Sequence, residues 1–286
     1  MQAVRIRFLL SSIIAVASGL SIAYWKYKEI DLFYASMTFA GVICLHASID
    51  LLNDYWDYKK GIDTITRRTK FSGGTGVLPQ NLLKPKDVYY AGVILLLIGT
   101  LVGAYFALVR GIIILAFVGF AVLAVYFYTT DIVNLGLGET FVAIKGTLIV
   151  VGSYYIQTSS IGISSVYAGI IIGILSATVL FVNSFPDYEA DRIGGRKTLV
   201  ILLGKQRAAR IFPGIILCTY SLIIAGALLG YLKIYSLASM VSLPFAIAAI
   251  RGINNPGQVG KLVRVMGSTV TYSRLTGIVL TTSFLF

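Results

Sequence analysis

The chain has 286 residues, 57% of them hydrophobic and only 13% charged, which excludes an ordinary water-soluble domain of this size. Its net charge of +12 would suggest nucleic acid in a soluble protein; here it points to the bilayer and to an anionic substrate. A single histidine and two cysteines, Cys44 and Cys218, both inside apolar runs, imply neither a disulfide framework nor a zinc site.

Crossing the hydrocarbon core takes about 20 apolar residues per helix. Runs of that kind occur at about 8–24, 32–52, 88–108, 111–128, 139–157, 164–185, 208–230, 235–251 and 267–286. Only Arg110-Gly111 divides the 88–128 stretch, so the runs define eight or nine helices. The first follows Arg5 and Arg7 in the manner of a signal peptide, but eight more runs follow and no small-residue cleavage site is evident, so it reads as a retained helix.

If nine helices alternate, the N-terminus and the 53–87, 129–138, 186–207 and 252–266 loops share one face. Eighteen of the 24 Lys and Arg fall there, counting Arg210 and Arg251 at the adjoining helix ends, against four on the other face (Lys26, Lys28, Arg110 and Lys233) and two inside helices (Lys145 and Arg274). The positive-inside rule makes the richer face cytoplasmic. Most acidic residues cluster there too, so function is expected on that face.

The second run ends in Asp50-Leu-Leu-Asn53-Asp54-Tyr-Trp-Asp57-Tyr-Lys-Lys60-Gly61-Ile-Asp63. Continued as a helix, it places Asp50, Asn53 or Asp54, and Asp57 on one stripe. Three acids on one face at a membrane boundary repel each other unless a cation compensates. The sixth run ends in Asn183-Ser-Phe-Pro186-Asp187-Tyr-Glu-Ala-Asp191-Arg192, with Asp187 and Asp191 one turn apart and Asn183 one turn deeper. Both helices run toward the same face by crossing parity, so the two stripes can oppose each other across a cavity. Oxygen-only clusters without His or Cys favour Mg²⁺, held by carboxylates together with substrate phosphates.

Basic residues crowd the same loops. Topogenic charge accounts for many of them, while Arg67, Lys70, Arg196 and Lys197 stand nearest the carboxylates and are candidates to neutralise a leaving diphosphate. Lys145, within the fifth run, either faces a polar cavity or snorkels. His46, two turns before the acidic stripe, reads more readily as a satisfied interior histidine than as a base. The segment Phe71-Ser-Gly-Gly-Thr-Gly-Val-Leu lacks the spacing of a phosphate-binding P-loop and reads as a flexible cover. Tyr126, Phe127, Tyr128, Tyr154 and Tyr155 suit interfacial anchors or an aromatic wall around a cation.

Asn53-Asp54-x-x-Asp57 with Lys60-Gly61-x-Asp63, followed by Asn183-x-x-x-Asp187-x-x-x-Asp191-Arg192, Lys197-Thr-Leu and Leu203-Gly204, resembles the UbiA superfamily of intramembrane prenyltransferases. Gly136-Leu-Gly-Glu139 and Gly152-Ser-Tyr-Tyr155-Ile-Gln157-Thr158 make it most similar to the 1,4-dihydroxy-2-naphthoate polyprenyltransferases of menaquinone synthesis, over roughly residues 40–205. The resemblance implies an all-α polytopic membrane protein: nine transmembrane helices around a central cavity that opens at the cytoplasmic side and laterally to lipid. It also implies Mg²⁺-dependent ionisation of a prenyl diphosphate and alkylation of an aromatic acceptor. Where relatives carry a tyrosine followed by a lysine after helix four, Tyr126-Phe-Tyr128-Thr-Thr-Asp131 has no lysine.

The reading is a single domain over 1–286, its 53–87 and 186–207 loops forming a cytoplasmic cap. Asn53, Asp57, Asp63, Asp187 and Asp191 are the expected metal ligands. Asn53, Arg67, Lys70, Asn183, Arg196 and Lys197 are expected to bind the diphosphate. Asp54, Asp57, Asp187, Asp191, Lys145 and Tyr128 are the catalytic candidates. Expected partners are the prenyl diphosphate, the aromatic acceptor and the bilayer, with no nucleic acid and no obligate protein. Alternative acceptors are 4-hydroxybenzoate, a geranylgeranylglyceryl phosphate or a tetrapyrrole; a secondary transporter is the rival class, against which no inverted repeat stands out.

Overall fold

The computed structural model describes residues 4–66, 68–254 and 259–286, and among these every regular element is helical. In chain order they are α1 (Ile6–Tyr27), α2 (Leu32–Lys59), α3 (Ile62–Ile65), α4 (Pro85–Arg110), α5 (Ile113–Phe127), α6 (Gly138–Thr158), α7 (Ile163–Ile193), α8 (Leu199–Leu203), α9 (Lys205–Leu228), α10 (Leu243–Gly252) and α11 (Val259–Ser283). A π-helical turn (Tyr128–Ile132) and a short 3₁₀ turn (Val133–Leu135) follow α5, and a 3₁₀ helix (Ile234–Ser242) leads into α10. Among the described residues six helical stretches are long and apolar enough to cross a membrane: α1, α2, α4, α7, α9 and the combined Ile234–Gly252. The other three apolar runs lie on α5, α6 and α11.

The polar sequence beyond the second run stays helical, because α2 continues through Asn53, Asp54 and Asp57 to Lys59. Likewise α7 carries Pro186 in its interior and reaches Ile193, past Asp187 and Asp191. Much of what composition marks as loop is therefore helix, and the expected carboxylate stripes are real. Arg110-Gly111 does separate two helices, with Gly111 at φ +107°.

Helices α6 and α7 pack closely, as do α2 and α4, while α1 lies against α6, α2 and α11. Lipid offers no hydrophobic drive for such contacts, so close backbone approach at small residues supports them. A Cβ at Gly146 of α6 would stand 2.8 Å from the Gly173 Cα of α7, which only glycine pairs permit. The main core joins α1, α6, α7, α9, α10 and α11, with Tyr272, Phe181, Phe185 and Phe212 fully buried. Leu108, Ile112 and Leu228 are exposed, as expected of side chains meeting lipid.

Candidate active site

The ends of α2 and α7 and the starts of α1 and α6 meet at one end of the bundle. Asp57 and Asp191 are joined there by Arg196, whose guanidinium donates to both, at 3.1 Å to Asp191 Oδ1. Local backbone directs this arginine. After α7, Gly195 adopts φ +78°, a left-handed turn that suits glycine, and the Arg196 N–H returns to the Asp191 carbonyl at 2.9 Å. The following segment is tied to α6, whose Glu139 Oε1 accepts from Leu199 N–H at 3.2 Å.

The α1 side contributes a second arginine. Arg5 Nη2 donates to Asp54 Oδ1 at 2.6 Å and its backbone N–H donates to Asp50 Oδ2 at 3.0 Å. Asp54 also accepts from the Thr75 N–H, at 3.1 Å, and from the Thr75 hydroxyl. This carboxylate thus pins both the N-terminal segment and the glycine-rich 71–78 segment to α2. Gly74, at φ +71°, sits so close to Asp63 that a Cβ there would be 2.8 Å from Oδ1. The segment expected as a cover lies against the acidic side chains, tied to α2 through Thr75.

A cavity of about 1460 Å³, its open mouth included, is enclosed by these elements. Asp50, Asn53, Asp57 and Asp63 line it from one side, and Asn183, Asp187 and Asp191 from the other. Arg5, Arg196, Tyr128, Glu139 and Lys145 complete the polar lining, while Phe8, Ile49, Val142, Val179 and Leu180 supply apolar wall. Asn53 Nδ2 donates to Asp57 Oδ2 at 3.0 Å. Among the described residues no three His, Cys, Asp or Glu side chains form a ready-made metal cage. Asp63 Oδ2, Asp187 Oδ1 and Asn183 Oδ1 are nevertheless buried without a hydrogen-bond partner. Hard oxygen donors left over in this way fit Mg²⁺ whose shell is completed by phosphate oxygens.

Charges on the loops respond to this setting. Burial, reinforced by negative Asp57 and Asp54, lifts the Asp63 carboxyl from its ordinary range to about 7. Burial alone would lower the Arg196 and Arg5 guanidiniums, but their carboxylate partners outweigh it and hold both above the ordinary arginine value.

Three expected site residues stand elsewhere. Asp54 does not line the cavity, because Arg5 and Thr75 take its oxygens. Lys70 is exposed over the Phe71 ring, with its carbonyl held by Arg7 Nη1 at 3.2 Å, and does not line the cavity. Lys197 is exposed too: its backbone N–H is fixed to the Val133 carbonyl at 3.2 Å while Arg196 turns inward. Arg67 lies outside the described residues. Conversely Arg5, which the sequence presents only as N-terminal charge, lines the cavity with its Nε buried and unpartnered. No spacing signal links it to Asp54, 49 residues away.

An all-helical membrane fold enclosing a cavity with carboxylates on facing helices and inward arginines is the architecture of an intramembrane enzyme for an anionic substrate. The chain belongs to the UbiA prenyltransferase family, which matches residues 12–259, and it is accordingly a multi-pass membrane prenyltransferase. It is 27% identical over 289 residues to 1,4-dihydroxy-2-naphthoate octaprenyltransferase of Bacillus subtilis (strain 168), covering 99% of this chain and 91% of that one. Among solved structures it shares the fold of a UbiA homologue from Aeropyrum pernix K1, with TM-score 0.72, 17% identity and coverage of 99% and 98%. A UbiA homologue from Archaeoglobus fulgidus, solved bound to DMAPP and Mg²⁺, gives TM-score 0.68 at 14% identity and 98% coverage of each chain.

Proposed function

We propose that this protein transfers a polyprenyl group from its diphosphate to 1,4-dihydroxy-2-naphthoate in an Mg²⁺-dependent reaction of menaquinone synthesis. The observation that carries the proposal is the pair of facing helix ends, with Asp57, Asp187 and Asp191 around one cavity and buried oxygens left without partners. The naphthoate acceptor is supported by the similarity to the Bacillus subtilis enzyme along nearly the whole chain. An Mg²⁺-bound relative of the same fold supports the metal.

Asn53, Asp57, Asp63, Asp187 and Asp191 would hold Mg²⁺, which when bound neutralises diphosphate charge and makes the diphosphate a better leaving group. Arg196 and Arg5 then bind the diphosphate: each already has an unpartnered buried Nε, and guanidinium matches phosphate geometry. Asn183 orients a phosphate oxygen from α7. As the C–O bond breaks, charge moves onto the diphosphate facing these donors, where fixed dipoles stabilise it most. Tyr128 and the apolar wall exclude water from the allylic cation and its aromatic face favours positive charge. An electron-rich ring carbon of the acceptor then bonds the allylic carbon and sheds its proton to restore aromaticity, and with the naphthoate the carboxylate leaves afterwards as CO₂, a proton taking its place.

The chain functions as one domain in the cell membrane, with its N-terminus and the two motif segments on the cytoplasmic side, as the distribution of Lys and Arg supports. Purified protein incubated with geranylgeranyl diphosphate, Mg²⁺ and each candidate acceptor, with an EDTA control, tests the assignment by mass spectrometry. Mg²⁺-dependent product from the naphthoate alone is expected. Product only from 4-hydroxybenzoate or geranylgeranylglyceryl phosphate would overturn the acceptor and keep the chemistry.

A further inference from the structure

Among the described residues the cavity is lined by five cations, and four of them are engaged. Arg196 joins Asp57 and Asp191, and Arg5 pairs with Asp54. Arg7 donates to the Lys70 carbonyl and Arg274 to the Arg7 carbonyl. Lys145 differs: among the described residues it makes no hydrogen bond and no direct ion pair, and Asp50 is the acid near enough to attract it. An ammonium inside a membrane bundle is costly unless something anionic answers it.

Its depth separates it from the diphosphate end. Glu139 of α6 touches the segment after Arg196, and Lys145 lies six residues farther along the same helix, about 9 Å deeper at 1.5 Å per residue. Asp50 lies seven residues inside Asp57 on α2, about 10 Å deeper by the same measure. His46, one turn deeper again, lines the cavity with Nδ1 held 2.6 Å from Ser12 Oγ, and Ser11 and Ser176 are also in the lining. The cavity therefore has a second polar level below the carboxylates and arginines that face the diphosphate. Among the described residues Lys145 is also the one that lines both this cavity and an apolar pocket of about 680 Å³, its open mouth included, between α2, α4, α5 and α6. A lysine suits such a boundary, its methylenes tolerating the apolar side while the ammonium serves the polar one.

We propose that Lys145 anchors the carboxylate of the aromatic acceptor, holding the ring between the diphosphate end and the cavity floor. This rests on the prenyl-transfer reading given above. The reacting carbon of the acceptor has to approach the prenyl carbon to about 3–3.5 Å, so the ring must lie directly beneath the diphosphate, within reach of a lysine rising from the level below. Lys145 is thus a specificity residue that selects an anionic aromatic ring over a neutral one of the same shape.

The test uses the full chain in detergent, with 1-hydroxy-2-naphthoate and 1-naphthol as matched inhibitors of naphthoate prenylation, alike except for the carboxylate. Wild-type protein should bind the carboxylated inhibitor about tenfold or more tightly than the neutral one. In Lys145→Met that preference should vanish and the acceptor KM should rise about tenfold, with the KM for the prenyl diphosphate unchanged; Lys145→Arg should restore part of the preference. Wild-type protein that ignores the carboxylate would overturn the proposal without any variant. So would Lys145→Met if it keeps the preference, or if it raises the diphosphate KM instead, since the lysine would then serve the diphosphate. Naphthoate prenylation by wild type with any of these results removes only the Lys145 role; its absence removes the acceptor reading, and this inference with it.

Discussion

Arg196 donates to Asp57 on α2 and to Asp191 on α7, so one guanidinium holds together the two helix ends that carry the carboxylates. All three side chains are largely buried, and removing one member of a buried charge group costs about 3–5 kcal/mol because the others are left uncompensated. Arg196→Ala should therefore lower the thermal stability of the metal-free protein, and added Mg²⁺ should recover more stability in the variant than in wild type. Its turnover should fall about 10²–10³-fold, the scale for losing one preorganised charge donor. Differential scanning fluorimetry with and without Mg²⁺, alongside a turnover assay, checks both; an unchanged melting profile would show that the bridge carries no stability.

At the scale of elements, the glycine-rich segment between α3 and α4 acts through its backbone. Gly74→Ala places a methyl against the Asp63 carboxylate at a position with φ +71°. Gly195→Ala meets nothing within 4 Å at φ +78° and incurs only the left-handed backbone cost, about 1–2 kcal/mol. A larger loss in melting temperature is expected in the Gly74 variant, which adds the clash to the backbone cost, and a rise of about tenfold in the KM for prenyl diphosphate only there, since only there is a cavity carboxylate displaced. Steady-state kinetics on both variants tests the contrast. The α2 and α7 stripes were legible because helical periodicity continues through polar residues, and charge parity brought both to one end. Arg5 was not, since its partner Asp54 is reached only by tertiary folding, and Lys70 and Lys197 stand outside the cavity lining because proximity in sequence does not say which way a loop turns. The π-helical turn that brings Tyr128 to the cavity and the 3₁₀ helix ahead of α10 likewise leave no mark in hydropathy.

For the whole molecule, the proposed orientation places the glycine-rich segment in the cytoplasm. In a background with Cys44→Ala and Cys218→Ala, a Lys70→Cys probe at that exposed site should react with a membrane-impermeant maleimide in inverted vesicles and not in intact cells. The reverse pattern would invert the topology. In the proposed reaction, carboxylates from α2 and α7 jointly hold the diphosphate through Mg²⁺. Binding of a non-ionising prenyl thiodiphosphate, followed by calorimetry with and without Mg²⁺, tests it most directly in wild type, Asp57→Asn and Asp187→Asn. Tight binding should require Mg²⁺ and weaken about 10²-fold or more in each variant, the scale of a lost charge-assisted contact. Binding that is equally tight without the metal, or that survives either substitution unchanged, would contradict the account.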